Sequence, residues 1–121
     1  MRYLTLMLLA LVVTGCATRN AGLYQWGQYE NSLYTSYKDP TKVGVLRTKL
    51  EEHIGSAERG NKKIAPGLYA ELGTLYLQDG KNELAASMYT KERDTWPESA
   101  TLMTSMLKSL ASRTEKSEVL K

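Results

Sequence analysis

Polar and apolar positions recur along this chain at separations of three and four, the spacing that places side chains on one side of an α-helix. From Tyr24 the apolar residues fall at Tyr24, Trp26, Tyr29, Leu33, Tyr34 and Tyr37, which predicts a first helix with these residues turned inward. Lys38-Asp39-Pro40 ends it and starts a second, because Pro is preorganised for a first helical position and Asp39 can cap. The second stripe is Val43, Leu46, Leu50, Ile54 and Ala57, followed by a loop by composition, Arg59 to Lys63. Pro66 opens a third helix with Leu68, Tyr69, Leu72, Leu75 and Tyr76 on its apolar side, and Asp79-Gly80 signals a turn. Asn82 is placed to cap a fourth helix carrying Leu84, Ala85, Met88 and Tyr89, which Trp96-Pro97 breaks. A fifth runs from about Ser99 with Leu102, Met103, Met106, Leu107 and Leu110 as its stripe. No stretch alternates with period two long enough for a strand, so the expectation is an all-α array of about five helices spanning residues 24–111, with 112–121 a frayed charged tail.

Ahead of Tyr24 the pattern changes. Met1-Arg2 is a short positive start, Tyr3 to Val13 is an apolar run broken only by Thr5, and the small residues Thr14 and Gly15 follow. That is the order of a secretory signal peptide, and the run is shorter than the roughly 20 residues a membrane-spanning helix needs. Cys16 is the chain's single cysteine, so no disulfide framework is available and a hydrophobic core must hold the fold. Val13-Thr14-Gly15-Cys16 resembles the bacterial lipobox: an aliphatic residue, two small ones, then Cys. The resemblance implies cleavage between Gly15 and Cys16, a diacylglyceryl thioether on the Cys16 sulfur and a fatty acyl amide on the new N-terminus. The competing readings, a buried free thiol or a metal ligand, suit a lone Cys at the edge of a cleavable segment poorly. Residues 1–15 are then a leader and 16–23 a lipidated Cys with its tether, whose seven residues from Ala17 to Leu23 reach at most about 25 Å. Ala17, rather than Asp, follows the Cys, which by the usual sorting rule implies the outer membrane of a Gram-negative envelope.

The full chain carries 16 basic and 13 acidic side chains; removing the leader takes only Arg2 with it and leaves a net charge of +2. This near-balance lacks the concentrated basic face that nucleic acid requires.

Short helices at even spacing invite a search for repeats. The stretch Pro66 to Ser99 is 34 residues long and resembles one tetratricopeptide repeat. Tyr69 stands at the pattern's large aromatic, Leu72-Gly73 at its Leu-Gly pair, Tyr76 at its Tyr, Ala85 at the small residue of the second helix, Tyr89 at the next aromatic and Pro97 at the closing Pro. Gly73 and Ala85 are small where two helices of a hairpin cross, which permits close approach. Glu92 departs from the pattern, which has a small residue there, and predicts a looser, partly solvated junction. Between Glu30 and Ala57, Leu33, Tyr37, Leu46 and Leu50 repeat the separations of 4, 9 and 4 seen in Leu72, Tyr76, Ala85 and Tyr89. The fifth helix would cap the array.

The stretch "LYQWGQYENSLYTSYKDP", with the repeat after it, also resembles a family of small bacterial lipoproteins with a domain of unknown function and no assigned activity. Members tend to be encoded beside lipoproteins related to the curli secretion pore, which implies an envelope-assembly setting. Tetratricopeptide modules bind along the first helix of each hairpin. By that analogy a partner-binding face would comprise Gln28, Asn31, Thr35 and Lys38 on the first hairpin and Ala70, Thr74 and Leu77 on the second, continued by Thr101, Thr104 and Lys108 on the cap. It is polar, small and weakly basic, which suits a protein segment better than a compact ligand.

Candidate chemistry changes the picture little. His53 is the only histidine, and one His with scattered carboxylates lacks metal-ligand spacing. Glu51 and Glu52 are adjacent on a helix and point in different directions, so they make no acid–base pair. Neither a Gly-rich phosphate loop nor a Gly-x-Ser-x-Gly elbow is present. Tyrosines replace phenylalanine altogether, and at helical spacing they are expected in the core with hydroxyls reaching its rim. The expectation is therefore a lipid-anchored, non-enzymatic adaptor without cofactor, nucleic-acid partner or small-molecule substrate, acting on another envelope protein. The alternative is a structural lipoprotein that binds cell-wall glycan.

Overall fold

The computed structural model describes residues 22–119. The leader, Gly15 and Cys16 lie outside them. Five α-helices follow one another: α1 (Tyr29–Lys38), α2 (Val43–Arg59), α3 (Leu68–Gln78), α4 (Asn82–Thr95) and α5 (Ala100–Val119). Single 3₁₀ turns at Pro40–Lys42 and Pro97–Ser99 lead into α2 and α5, and there is no strand among the described residues. The all-α array read from the apolar spacing is the observed architecture.

The breaks follow from local chemistry. The Asp39 carboxylate accepts from the Thr41 amide at 3.0 Å and the Thr41 hydroxyl at 2.6 Å, and Pro40 sets the first residue of the turn. Pro66 does not itself open α3; it precedes Gly67, whose φ of 90° is the left-handed region that favours glycine, and the helix begins at Leu68. Asn82 is the first residue of α4 rather than its cap, which is Lys81. At the far end α5 runs to Val119 instead of fraying after residue 111. The segment holds no Gly or Pro to stop it, and the Ser112 and Thr114 hydroxyls donate back to the Lys108 and Leu110 carbonyls at 3.1 Å.

Packing runs between consecutive helices: α1 on α2, α2 on α3, α3 on α4, α4 on α5. Leu46, Leu50 and Ile54 of α2 meet Leu68, Tyr69, Leu72 and Leu75 of α3 in one core cluster. Ile64 and Ala65 are buried with them, so the nominal loop before α3 ends in a core plug. Ala85, Tyr89, Met103 and Leu110 form a second cluster between α4 and α5, and Tyr76 packs on both. The Arg47 guanidinium donates to Asp79 and so ties α2 to the α3–α4 turn.

α1 differs from its expected orientation. Its buried residues are Ser32 and Ser36, whereas Leu33, Tyr34 and Tyr37 face solvent at 38%, 59% and 86% exposure. Tyr29 alone of the helix's expected stripe packs against the core, with Tyr24 ahead of it. Two serines let α1 lie close on α2, and the Ser36 hydroxyl stays satisfied by donating to the Leu33 carbonyl at 2.8 Å. A helix wheel counts Tyr and Leu as inward by hydropathy; here close approach of backbones decides the face instead.

Candidate functional site: an apolar groove at the end of the stack

The α3–α4 hairpin is built on a tight crossing. A Cβ at Gly73 would lie 2.8 Å from Cε1 of Tyr89 and 3.2 Å from Cβ of Met88, so only glycine admits the Tyr89 ring. Ala85 is fully buried beside it. The Tyr89 hydroxyl lies 3.2 Å from the Thr74 hydroxyl, which also donates to the Ala70 carbonyl at 3.0 Å. Tyr69 donates to Glu58 at 2.8 Å, and Lys91 donates to the same carboxylate oxygen at 2.7 Å. The lysine, chiefly, holds the Glu58 carboxyl below the ordinary carboxylate range, while burial first and the carboxylate second push the Tyr69 phenol up.

Glu92, expected at a loose junction, is completely buried. One carboxylate oxygen accepts from the Gly67 amide at 2.8 Å and from the Ser99 hydroxyl at 3.1 Å. It thus joins the N-terminal end of α3, where the helix dipole favours negative charge, to the turn ahead of α5. Its other oxygen and the Trp96 indole N–H are buried without a partner. Trp96 closes that end of the hairpin, its ring edge-on to Tyr24 at 5.6 Å between centroids and the Lys63 ammonium 4.0 Å from its centre. Pro97 opens the 3₁₀ turn that redirects the chain.

This hairpin positions a groove at the opposite end of α4. The α3–α4 turn and the first turn of α4 (Gly80 to Leu84), with Ala86, face Leu107, Leu110, Ala111, Thr114 and Glu115 of α5 across an open cavity of about 880 Å³. Its floor is apolar and its rim carries Lys81, Glu83 and Glu115. Leu84, expected in the core, is 46% exposed at its edge. The sequence signal lay in width: α4 carries Leu84 and Ala86 beside the Ala85–Met88–Tyr89 stripe, and α5 presents more apolar side than one neighbour can cover.

The residues expected to form one partner-binding face are divided by the fold. Gln28, Asn31, Thr35 and Lys38 are exposed along α1. Ala70, Thr74 and Leu77 are half-buried, with Ala70 and Leu77 packed against the second core cluster and Thr74 engaged with Tyr89. On the cap, Thr101 and Lys108 are exposed and Thr104 is half-buried. The α3 portion is therefore spent on its own hairpin, because Ala70 and Leu77 are apolar and α5 folds back toward them.

His53 lines two smaller clefts, of about 270 Å³ with Gly27, Tyr29 and Lys49 and about 360 Å³ with Tyr24, Lys62 and Lys63. Among the described residues no three of His, Cys, Asp and Glu converge as metal ligands, and no helix is long and apolar enough to cross a membrane.

A family model described as Domain of unknown function (DUF4810) matches residues 23–106, most of the chain. The chain belongs to this family. Its matched span takes in α1 to α4 and the first part of α5, so the family contains both hairpins and only the near side of the groove. No curated protein and no solved structure matches the chain.

Proposed function

We propose that this member of the family is an outer-membrane lipoprotein, held by acyl chains on Cys16, whose tetratricopeptide-like array serves as an adaptor in assembly or stabilisation of an envelope complex. The observation that carries the adaptor reading is the apolar groove between α4 and α5. A cavity of this size with aliphatic walls and a charged rim at the end of a helical stack is where a further helix would pack. The partner contributes an amphipathic helix, its apolar residues against Leu84, Leu107 and Leu110. A secretion lipoprotein related to the curli pore is the first partner to test. The tetratricopeptide reading draws support from the Gly73–Tyr89 crossing and the buried Ala85. Thioether and amide lipidation at Cys16 provide two or three acyl chains, and two already suffice for stable anchoring where one, at about 0.8 kcal/mol per buried CH₂, does not.

The test places a photocrosslinking residue at Leu84 and, as control, at Ser109, in cells with the parent signal. A discrete protein adduct from position 84, lost on Leu107→Glu and missing from position 109, is the expected result. Equal and diffuse adducts from both positions would sink the adaptor reading. The glycan-binding alternative is separated by a cell-wall pull-down, in which it alone requires the chain to sediment with purified sacculi.

A further inference from the structure

The exposed side of α1 is a second surface. Leu33, Tyr34 and Tyr37, at positions i, i+1 and i+4, share one side of the helix and all face solvent. Trp26, 38% exposed, stands just ahead of the helix and stacks on Tyr29 with 6.2 Å between ring centres. At the C-terminal end Lys38 holds its ammonium 4.6 Å from the centre of the Tyr34 ring, and Lys42 is exposed one turn on. The nearby Asp39 carboxylate is occupied by Thr41. The packing of α1 on the core is made by Ser32, Ser36 and Tyr29, and does not call on Leu33, Tyr34 or Tyr37. The side also carries the exposed Glu30 in the first turn, at the end away from Lys38 and Lys42. Aromatic bodies with polar tips, a leucine and lysines at one end are the side chains that settle at the boundary between lipid headgroups and acyl chains.

We infer that this side of α1 lies in the headgroup region of the membrane that carries the chain, with Leu33 and Tyr37 turned to the acyl boundary and Lys38 and Lys42 to lipid phosphates. The inference rests on the anchor proposed above. Seven residues, Ala17 to Leu23, separate Cys16 from Tyr24, so α1 cannot stand farther than about 25 Å plus the Tyr24–Gln28 segment from the lipid. At that distance the local concentration of bilayer is high, and even a weak interfacial affinity keeps the helix down. The α4–α5 groove, at the other end of the stack, is left facing the aqueous side.

The experiment uses the full chain, processed in a Gram-negative host and reconstituted into phosphatidylethanolamine/phosphatidylglycerol vesicles. Tyr37→Cys and Ser109→Cys each supply one labelling site if Cys16 is acylated, and each is coupled to a bimane fluorophore. Lipids bearing a nitroxide near the headgroup should quench most of the Tyr37-site emission and leave the Ser109 site bright. Adding Leu33→Ser and Tyr34→Ser should return the Tyr37 site to the brightness of the Ser109 site, with the circular dichroism unchanged. If the vesicle-bound chain shows both sites equally bright, α1 does not touch lipid and the proposal is overturned while the anchor stands. A Tyr37 site shielded from aqueous iodide yet unquenched by nitroxide lipid also overturns it, in favour of contact with a second copy. Chain that fails to float with vesicles, with Cys16 itself labelled and unmodified by mass, refutes the anchor and this inference with it.

Discussion

At Gly73 the whole hairpin crossing depends on a missing methyl group. Tyr89 is buried and its hydroxyl is held near Thr74, so the ring has little freedom to retreat. Gly73→Leu should destabilise the chain by about 1–3 kcal/mol through overpacking, read as a lower urea midpoint. An unchanged midpoint would disprove the crossing. Glu92 is a second such position. Glu92→Ala would strand the Gly67 amide and Ser99 hydroxyl without their acceptor and should cost about 1–3 kcal/mol, whereas Glu92→Gln keeps an acceptor oxygen and should cost less. Equal losses for the two would mean that charge, not the hydrogen bonds, secures the junction. The Glu58–Lys91 pair gives a pH dependence. A carboxylate whose pKa is depressed by folding contributes stability above its unfolded-state pKa, and that contribution disappears as the pH falls through the folded one. Lys91→Met should therefore be less stable than the parent at pH 7, by about 1 kcal/mol or less because both partners meet solvent. The gap should close as the pH drops below about 4; a gap constant down to acid would show that Lys91 acts through packing.

At the scale of elements, what was legible was periodicity, and what was not was distance. The α2 stripe of Leu46, Leu50 and Ile54 and the α3 stripe of Leu68, Leu72 and Leu75 are buried as their spacing predicts. α1 has equally good spacing and puts Leu33, Tyr34 and Tyr37 outward, because the closeness of α1 to α2 favours Ser32 and Ser36. No single-chain hydropathy pattern encodes an interhelical distance. The same blindness hid the groove: Leu84 reads as core until α5 is seen to leave it uncovered. Glu92 was legible as a departure from the tetratricopeptide pattern that this stretch resembles, but the two donors that make its burial tolerable lie 25 and 7 residues away in sequence. Because each helix packs on its chain neighbours, a lesion should also stay local. Leu110→Ala should cost about 2–5 kcal/mol and loosen α4 and α5 in hydrogen exchange, with α2 keeping more of its protection. Uniform loss along the chain would show one cooperative block.

For the molecule as a whole, the proposed anchor and the helical fold are separable. Cys16→Ala should leave an unprocessed precursor outside the outer-membrane fraction, and normal fractionation of that variant would remove the lipobox reading. Both core clusters are made of side chains beyond Gly22, so the same variant should retain its helical circular dichroism. The order of packing, each helix on the next one in the chain, has a further consequence for how the molecule reaches this state. The helix-on-helix contacts close through short loops, which cost little closure entropy, and only ties such as Tyr24 on Trp96 and Glu58 with Lys91 reach farther along the chain. A chain with a single cysteine, and so no disulfide pairing to guide it, then has a fast route: single hairpins form first and dock in sequence. Such low-contact-order topologies fold in about microseconds to milliseconds, so refolding should be complete within the dead time of, or shortly after, stopped-flow mixing.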